Sequence, residues 1–504
     1  MTKTLIGKDS DGVGCIKITK GTYNPVTTPD SQAYKFYYNS KWAADVKVQG
    51  VLVRPTNTTP GPFYSPTGSG WKYWHSYYGD VQMEIFKKSY FDGVIYNFPL
   101  FDIKTVDSET GRYVNGSIGL ETTGYAGGRD RAGQWFLRNY KSTGWLAADA
   151  TYSFSGYFAA TVTPSEPSIL LRNTAEDRLV VWRLPGDNTD IQNGTEQSAV
   201  SGHQQVRLSA TECKVSKPGF DVRYATATQL AFDASDVPAK IVAADDISIP
   251  EGTSYYETGV SLPENTVVDL HFYQSGGNII YPSPPLNVEF GAAYWVDGTK
   301  IRFANANAAC RARFLVIAAD TEGPTSGTNK VLRQFTSGGE NVVQFLRPGA
   351  GSSPSFADIV IDSRWPCLQI VKEGYFSVSV GDDLTHMVTY DASGMFTFVK
   401  YMTVHGSGSY FATGSLEVDF TKRVRVPTTG KCAYYNGGWQ GYADTGNSSY
   451  CVYDNDSAVF HTFRGNPVRK YYRDTEDYDN NVVTVDYDPS PIVGIRYYIF
   501  GIAA

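Results

Sequence analysis

The sequence predicts an all-β protein, built as three tandem antiparallel β-sandwich-like modules with long inserted loops and little helix. Three observations carry that expectation. No stretch of about ten or more residues places apolar side chains at the helical repeat of roughly 3.6. The composition, with Tyr 36, Phe 26, Gly 49, Pro 25 and only 19% charged residues, is that of strands and tight turns. Finally, the chain repeats itself, and a repeat fixes architecture before any local assignment is made.

The repeat is a turn followed by a strand. Asn39-Ser40-Lys41-Trp42 leads into Val46 to Val53, and Asp362-Ser363-Arg364-Trp365 leads into Leu368 to Gly374. A looser middle copy runs Phe232-Asp233-Ala234-Ser235, then Lys240-Ile241-Val242 and Ile247-Ser248-Ile249. Closing strands repeat as well: Arg311 to Ala319 aligns without a gap on Arg496 to Ala504, with a fainter Tyr157-Phe158-Ala159-Ala160 in the first third. Cys15 to Gly21, Cys213 to Gly219 and Cys367 to Gly374 echo one another, with Cys367 alignable in either of two ways.

At 504 residues the chain exceeds the roughly 250 to 300 at which a single core stops growing, so several domains are expected. The first module, 1–165, alternates short period-two strands such as Val81 to Phe86 with loops rich in turn residues, Pro55 to Pro62 and Gly127 to Gly133. Residues 166–204 read as a connecting piece. Its strand, Arg178 to Leu184, ends in the turn Pro185-Gly186-Asp187-Asn188 and could also be a first or swapped strand of the second module. The second module, 205–322, is the compact copy, with strands at Val267 to Tyr273 and Leu286 to Phe290. The third, 323–504, begins after a Gly/Ser/Thr stretch and ends in the apolar strand Ile499 to Ala504.

Several functions are disfavoured by composition. The net charge is -7 and Lys and Arg are scattered singly, so the basic footprint of a nucleic-acid binder is missing. Residues 1–9 hold no apolar leader and no apolar run approaches the roughly 20 residues needed to span a bilayer; the chain is expected to be made in the cytosol without membrane insertion. Six cysteines, 15, 213, 310, 367, 432 and 451, form no CxxC pair. Cys15, Cys213 and Cys367 lie in apolar alternation and read as core residues, whereas Cys432 and Cys451 flank a Gly/Tyr loop where a disulfide is one option.

Catalytic patterns are also absent. The six histidines fit no HExxH or deaminase-type motif, and His405-Gly406-Ser407-Gly408-Ser409 lacks the context of a nucleophile elbow. Gly430-Lys431-Cys432 is not a phosphate loop. The acidic run Asp474, Glu476, Asp477, Asp479 lacks the Gly and final Glu of an EF-hand, and a solvated loop is the simplest reading. No catalytic residue, cofactor or metal site is assigned, and the chain is expected not to be an enzyme.

Aromatic loops are the strongest binding signal. Trp71, Tyr73, Trp74, Tyr77 and Tyr78, and in the third module Tyr434, Tyr435, Trp439 and Tyr442, set flat rings beside amides and glycines. Such rings stack on sugars or supply rigid interface area, and alternate rings in a strand equally serve as core.

Lys217-Pro218-Gly219-Phe220-Asp221-Val222, Gln229 to Ser235 and Asp362 to Pro366 resemble segments of virion proteins of tailed bacteriophages, usually encoded among tail genes. The resemblance covers short turn-and-strand stretches of the second and third modules and brings no catalytic residue with it. It implies a non-enzymatic structural component of the virion, in the tail tip or tail fibre, assembled in the host cytoplasm. The expected partners are other virion proteins, further copies of the chain in a trimer or hexamer, and a host-surface glycan or protein. A neck or capsid decoration protein and a glycan-binding or glycan-degrading β protein are the alternatives.

Overall fold

The computed structural model describes residues 2–41, 204–318 apart from short gaps (210, 226–229, 235–239, 264–265, 283–290, 306–307), 325–327, 331–405 apart from 380 and 382, 422–427, 449–463 and 492–503. Elsewhere it describes only Arg112 and the strands named below. Among these residues there is no α-helix; the two helical turns, Ala33–Lys35 and Phe356–Asp358, are of the 3-10 type. The all-β expectation holds, and among the described residues no helix is long and apolar enough to cross a membrane.

The strands fall into three units. Unit 1 runs β1 (Lys3–Lys8), β2 (Gly14–Thr19), β3 (Phe36–Asn39), β4 (Lys47–Val53), β5 (Gly61–Pro62), β6 (Trp71–Trp74), β7 (Glu84–Lys87), β8 (Leu100–Asp107), β9 (Tyr113–Val114), β10 (Gly116–Glu121), β11 (Gln134–Asn139) and β12 (Ala175–Arg183). Unit 2 runs β13 (Val206–Leu208), β14 (Cys213–Ser216), β15 (Leu230–Asp233), β16 (Lys240–Ile249), β17 (Gly252–Glu257), β18 (Val267–Gln274), β19 (Ile279–Tyr281), β20 (Ala293–Asp297), β21 (Lys300–Asn305) and β22 (Cys310–Ala318). Unit 3 begins with β23 (Leu332–Ser337), β24 (Glu340–Leu346), β25 (Ile359–Asp362), β26 (Gln369–Ser377), β27 (Leu384–Thr389), β28 (Met395–His405), β29 (Gly408–Ala412) and β30 (Leu416–Phe420). It continues through β31 (Lys422–Arg425), β32 (Lys431–Asn436), β33 (Trp439–Asp444), β34 (Ser449–Tyr453), β35 (Ser457–Thr462), β36 (Lys470–Tyr471), β37 (Val483–Thr484) and β38 (Ile492–Ala503).

Each unit opens with a three-stranded antiparallel meander: β1-β2-β3, β13-β14-β15 and β23-β24-β25. All three carry the same bulge, which leaves Tyr37, Ala231 and Val360 as the extra residue on the third strand. A bulge bends its strand and raises its twist, so the same defect in the same place gives three meanders of one shape. The repeated turn motif locks the end of that strand. Backbone N–H groups of Ser40, Ala234 and Ser363 donate to the carbonyls of Ile16, Cys213 and Val343 at 3.0, 2.8 and 2.9 Å. In units 1 and 3 the serine hydroxyl accepts in return, from Ile16 N–H at 3.0 Å and Val343 N–H at 2.9 Å. Ser363→Ala would leave the buried Val343 N–H without this acceptor, and a loss of about 1 to 3 kcal/mol is expected in urea unfolding. An unchanged midpoint would refute the lock. The β23–β24 hairpin turns on Gly338 and Gly339, both at positive φ (60° and 85°), as a type I′ turn demands.

One core unites the meanders. Ile16 and Ile18 from unit 1, Cys213 and Val215 from unit 2, and Val343 and Phe345 from unit 3 are buried in a single cluster. Cys15 is also buried, and Cys367 packs against the shared cluster, in line with their expected core role. Structurally, Cys213 occupies the place of Ile16 rather than of Cys15, and Cys367 follows its turn motif instead of preceding it.

Each unit then builds a triplet in which the closing strand lies in the centre: β4-β12-β8, β16-β22-β18 and β26-β38-β28. Again one bulge recurs, leaving Gln49, Val242 and Val371 unpaired. Two sequence expectations are corrected by this pairing. The strand placed in the connecting piece 166–204 is β12, which pairs with β4 and β8 and so closes unit 1; Tyr157 to Ala160 lie outside the described residues. The shared bulge also sets Arg313, not Arg311, against Arg496, with Arg178 as the third equivalent. A two-residue slip keeps every side chain on its own face, so alternation alone could not detect it.

The triplets are joined in a cycle. β9, which follows β8 in unit 1, pairs with β20 of unit 2, giving the sheet β4-β12-β8-β9-β20-β21-β17. β19, which follows β18 in unit 2, pairs with β34 of unit 3 in the sheet β19-β34-β35-β27. β31, reached from β28 through the hairpin β29-β30, pairs with β7 of unit 1, in β26-β38-β28-β31-β7-β6-β5. Each unit thus gives one strand to the next, and the third gives to the first. The sheets cross the boundaries expected between modules.

Candidate functional site

The aromatic residues singled out from sequence fall in two different sheets. Trp71, Tyr73 and Trp74 lie on β6, opposite Lys87, Ile85 and Glu84 of β7, within the ring. Tyr434 and Tyr435 on β32 and Trp439 and Tyr442 on β33 form a hairpin, with Asn436 opposite Trp439 and Ala433 opposite Tyr442. That hairpin joins β10 and β11 of unit 1 in the sheet β11-β10-β32-β33. Tyr77, Tyr78 and the acidic run 474–479 lie outside the described residues. Cys451 is a buried free thiol on β34, which removes the Cys432–Cys451 disulfide option.

A constellation of titratable groups shared by all three units was not anticipated. It sits where the inner strands of the three triplets converge, at equivalent positions: Asp102 opposite Val180, Asp269 opposite Leu315 and Lys400 opposite Tyr498. Lys400 Nζ lies 3.2 Å from Asp102 and 2.5 Å from Asp269. Lys104, two residues along β8, lies 3.0 Å from Asp102 and 2.9 Å from Asp269. Two carboxylates and two ammonium groups therefore neutralise one another around the axis of the ring. Below them, the preceding inward positions are Leu100, Val267 and Phe398, all buried.

Unit 2 adds His271 at the position equivalent to Lys104. Its ring is stacked between Tyr281 and Phe398, each with centroids 4.0 Å away, and its Nδ1 lies 2.7 Å from the Tyr453 hydroxyl. Nε2 has no hydrogen-bond partner among the described residues. One histidine thereby links units 2 and 3. Arg313 of the closing strand does similar work: it donates to the Thr397 carbonyl of unit 3 at 2.7 Å, lies 3.1 Å from Asp246, and packs over Phe396 at 3.7 Å.

Burial sets the electrostatics. It would pull the Lys104 ammonium down, but the carboxylates of Asp102 and Asp269 outweigh it and hold the group well above its usual range. Burial pushes Asp269 up, and Lys104 and Lys400 outweigh that and hold it low. For His271, burial and then the charges of Lys400 and Lys104 act together, with Arg313 adding to them and Asp102 opposing, and the imidazole is held neutral well below 6.5.

A histidine with a depressed folded pKa takes up its proton on unfolding. Its contribution is therefore complete above the unfolded pKa of about 6.5 and is lost as pH falls below that value. Stability is expected to decline between pH 6.5 and 4.5 by up to about 1.4 kcal/mol per unit, and His271→Phe should flatten that slope. A slope unchanged by the substitution would assign the effect elsewhere. The axial carboxylate Asp269, held low, gives way only as pH falls below about 3.8.

Chemically the constellation is closed: its charges are buried and paired, so it organises the ring and offers no reacting group to solvent. A second acidic group, Asp9, Asp11 and Asp30, is also met by lysines, with Lys17 2.7 Å from Asp9 and 2.6 Å from Asp30, and Lys41 2.5 Å from Asp9 and 2.6 Å from Asp30. Asp9 is lowered to about 2 because these ammonium groups outweigh its burial. No family model, curated protein or solved structure matches the chain.

Proposed function

We propose that this chain is a non-enzymatic structural component of a tailed-phage virion, in the tail tip or fibre. The observation that carries the proposal is the ring itself: three bulge-matched units, one shared core and a cyclic exchange of strands spend the buried charges on holding shape. That is the economy of a rigid assembly part, and it agrees with the phage-like segments at residues 217–222, 229–235 and 362–366. Contact with other virion proteins is its primary role, and contact with the host is assigned to the β32-β33 hairpin on the strength of its Tyr and Trp content. Mass spectrometry of gradient-purified particles tests the assignment, with peptides of the chain expected at stoichiometric level. Their absence from particles, with the protein abundant in the lysate, would overturn it. Trp439→Ala is expected to weaken adsorption of particles to host cells at least severalfold; unaltered adsorption would leave the chain in the virion but remove host contact from its role.

A further inference from the structure

We infer that Lys400 and Asp269 become joined after folding by an isopeptide bond, an amide between the lysine Nζ and the aspartate Cγ, with Asp102 carrying a proton between them. The bond ties β18 of unit 2 to β28 of unit 3 beside the axis and closes a loop over a sequence separation of 131. It does not depend on the place of the chain in a particle.

The ionic network is the reactant state. Lys400 Nζ lies 2.5 Å from Asp269 Oδ2, and a nitrogen hydrogen-bonded to a carboxyl oxygen sits roughly 3 to 3.5 Å from the carboxyl carbon, which is near-attack distance. Asp102 Oδ2 is 3.2 Å from the same nitrogen. Asp269 Oδ1 accepts a hydrogen bond from Lys104 Nζ at 2.9 Å, so a cation already stands where negative charge develops as the carbon is attacked. Nucleophile, electrophile, proton carrier and oxyanion partner are four separate groups on β28, β18 and β8.

The step balances without an outside reagent. Lys400 passes one proton to Asp269 Oδ2, which leaves an amine facing a carboxylic acid. The amine lone pair forms the Nζ–Cγ bond as the Cγ–Oδ1 π bond opens onto Oδ1, and a second proton goes from Nζ to Asp102. Asp102 returns that proton to Oδ2, the Cγ–Oδ2 bond breaks, water leaves, and the Cγ–Oδ1 double bond re-forms. Asp102 ends as the carboxylate it began as.

Burial supplies the drive. Asp102, Asp269 and Lys400 are all buried, and Lys400 Nζ lies 5.7 Å from the centre of the Tyr281 ring. Ions are costly in such a site and water is scarce, and both favour an amide and released water over separated charges. Condensation leaves Lys104 3.0 Å from Asp102 as one balanced pair. The meander of unit 1 offers a contrast. Lys17 and Lys41 meet Asp9 and Asp30 at similar distances, but both contact the same oxygen of Asp9, whose other oxygen accepts from the backbone N–H groups of Asp11 and Val13, and Asp30 is 26% exposed. Water has access there, and no bond is expected.

Intact-mass spectrometry of the purified full chain, denatured after incubation in the folded state, is the test. Salt-bridged ammonium groups are poor nucleophiles, so a freshly folded chain carries the ionic network and an aged one the bond. A species lighter than the sequence by one water is expected to accumulate, and its tryptic digest is expected to hold one branched peptide joining Asp269 to Lys400. A mass equal to that of the sequence throughout overturns the inference. So does a lost water traced to Lys104, to Asp9 and Lys17, or to any other site. Asp102→Asn is expected to slow formation of the bond at least about tenfold, and Asp102→Glu, which keeps a carboxylate, to recover part of the rate. An unchanged rate in Asp102→Asn, or an Asp102→Glu chain no faster than Asp102→Asn, overturns the role of Asp102.

Discussion

Lys400→Met is expected to destabilise the folded chain by about 3 to 5 kcal/mol, the usual consequence of removing one partner from a buried ionic network. The substitution leaves Asp102 and Asp269 facing Lys104 alone, so one negative charge is buried without compensation. The charge-balanced alternative is instructive. Lys400→Met combined with Asp102→Leu removes one charge of each sign, keeps the Lys104–Asp269 pair, and is expected to recover most of the loss. Urea unfolding of the wild type, the single and the double variant reads both effects. A single-variant cost below about 1 kcal/mol, or a double variant no better than the single, would show that the axial charges do not form one network.

Phe345→Ala tests the core shared by the meanders. Phe345 is fully buried among side chains from all three units, and its truncation is expected to cost about 3 to 5 kcal/mol. The spatial spread of the damage is more telling than its size. Amide exchange should accelerate in β2, β14 and β24 together, because each meander closes its apolar face on the other two. Acceleration confined to β24 would mean that the meanders are stable separately.

The fold class was legible because it depends on local pattern: alternation, turn chemistry and a lack of helical periodicity. The repeated turn motif was legible for the same reason, since Asn39, Asp233 and Asp362 each precede a small residue that locks a strand end. Register was another matter. Arg-Leu-Val-Val-Trp at 178–182, Arg-Phe-Leu-Val-Ile at 313–317 and Arg-Tyr-Tyr-Ile-Phe at 496–500 give the correct equivalence, an arginine followed by four apolar residues. The gapless alignment of Arg311 on Arg496 concealed it by matching the more alike Ala-Ala endings.

The axial charges left a trace as well: Asp102, Asp269 and Lys400 each stand between two large apolar residues, where a charge is hard to bury alone. What no single strand could reveal is that these three positions meet, because the partners are more than a hundred residues apart. Likewise the aromatic clusters looked alike in sequence, but only topology shows that β6 belongs to the ring and β32-β33 to the composite sheet.

The cyclic exchange of strands also imposes an order in time. β7 receives β31, and Lys87 must wait for Lys422, made roughly 335 residues later. At about 5 to 20 residues per second, the ribosome needs roughly 20 to 70 seconds to deliver that partner. During this interval the edge of β7 is a template for any strand that passes, including those of neighbouring nascent chains. The unit synthesised first is therefore the last to be completed, and slow translation or crowded polysomes should penalise this protein more than one whose units close upon themselves.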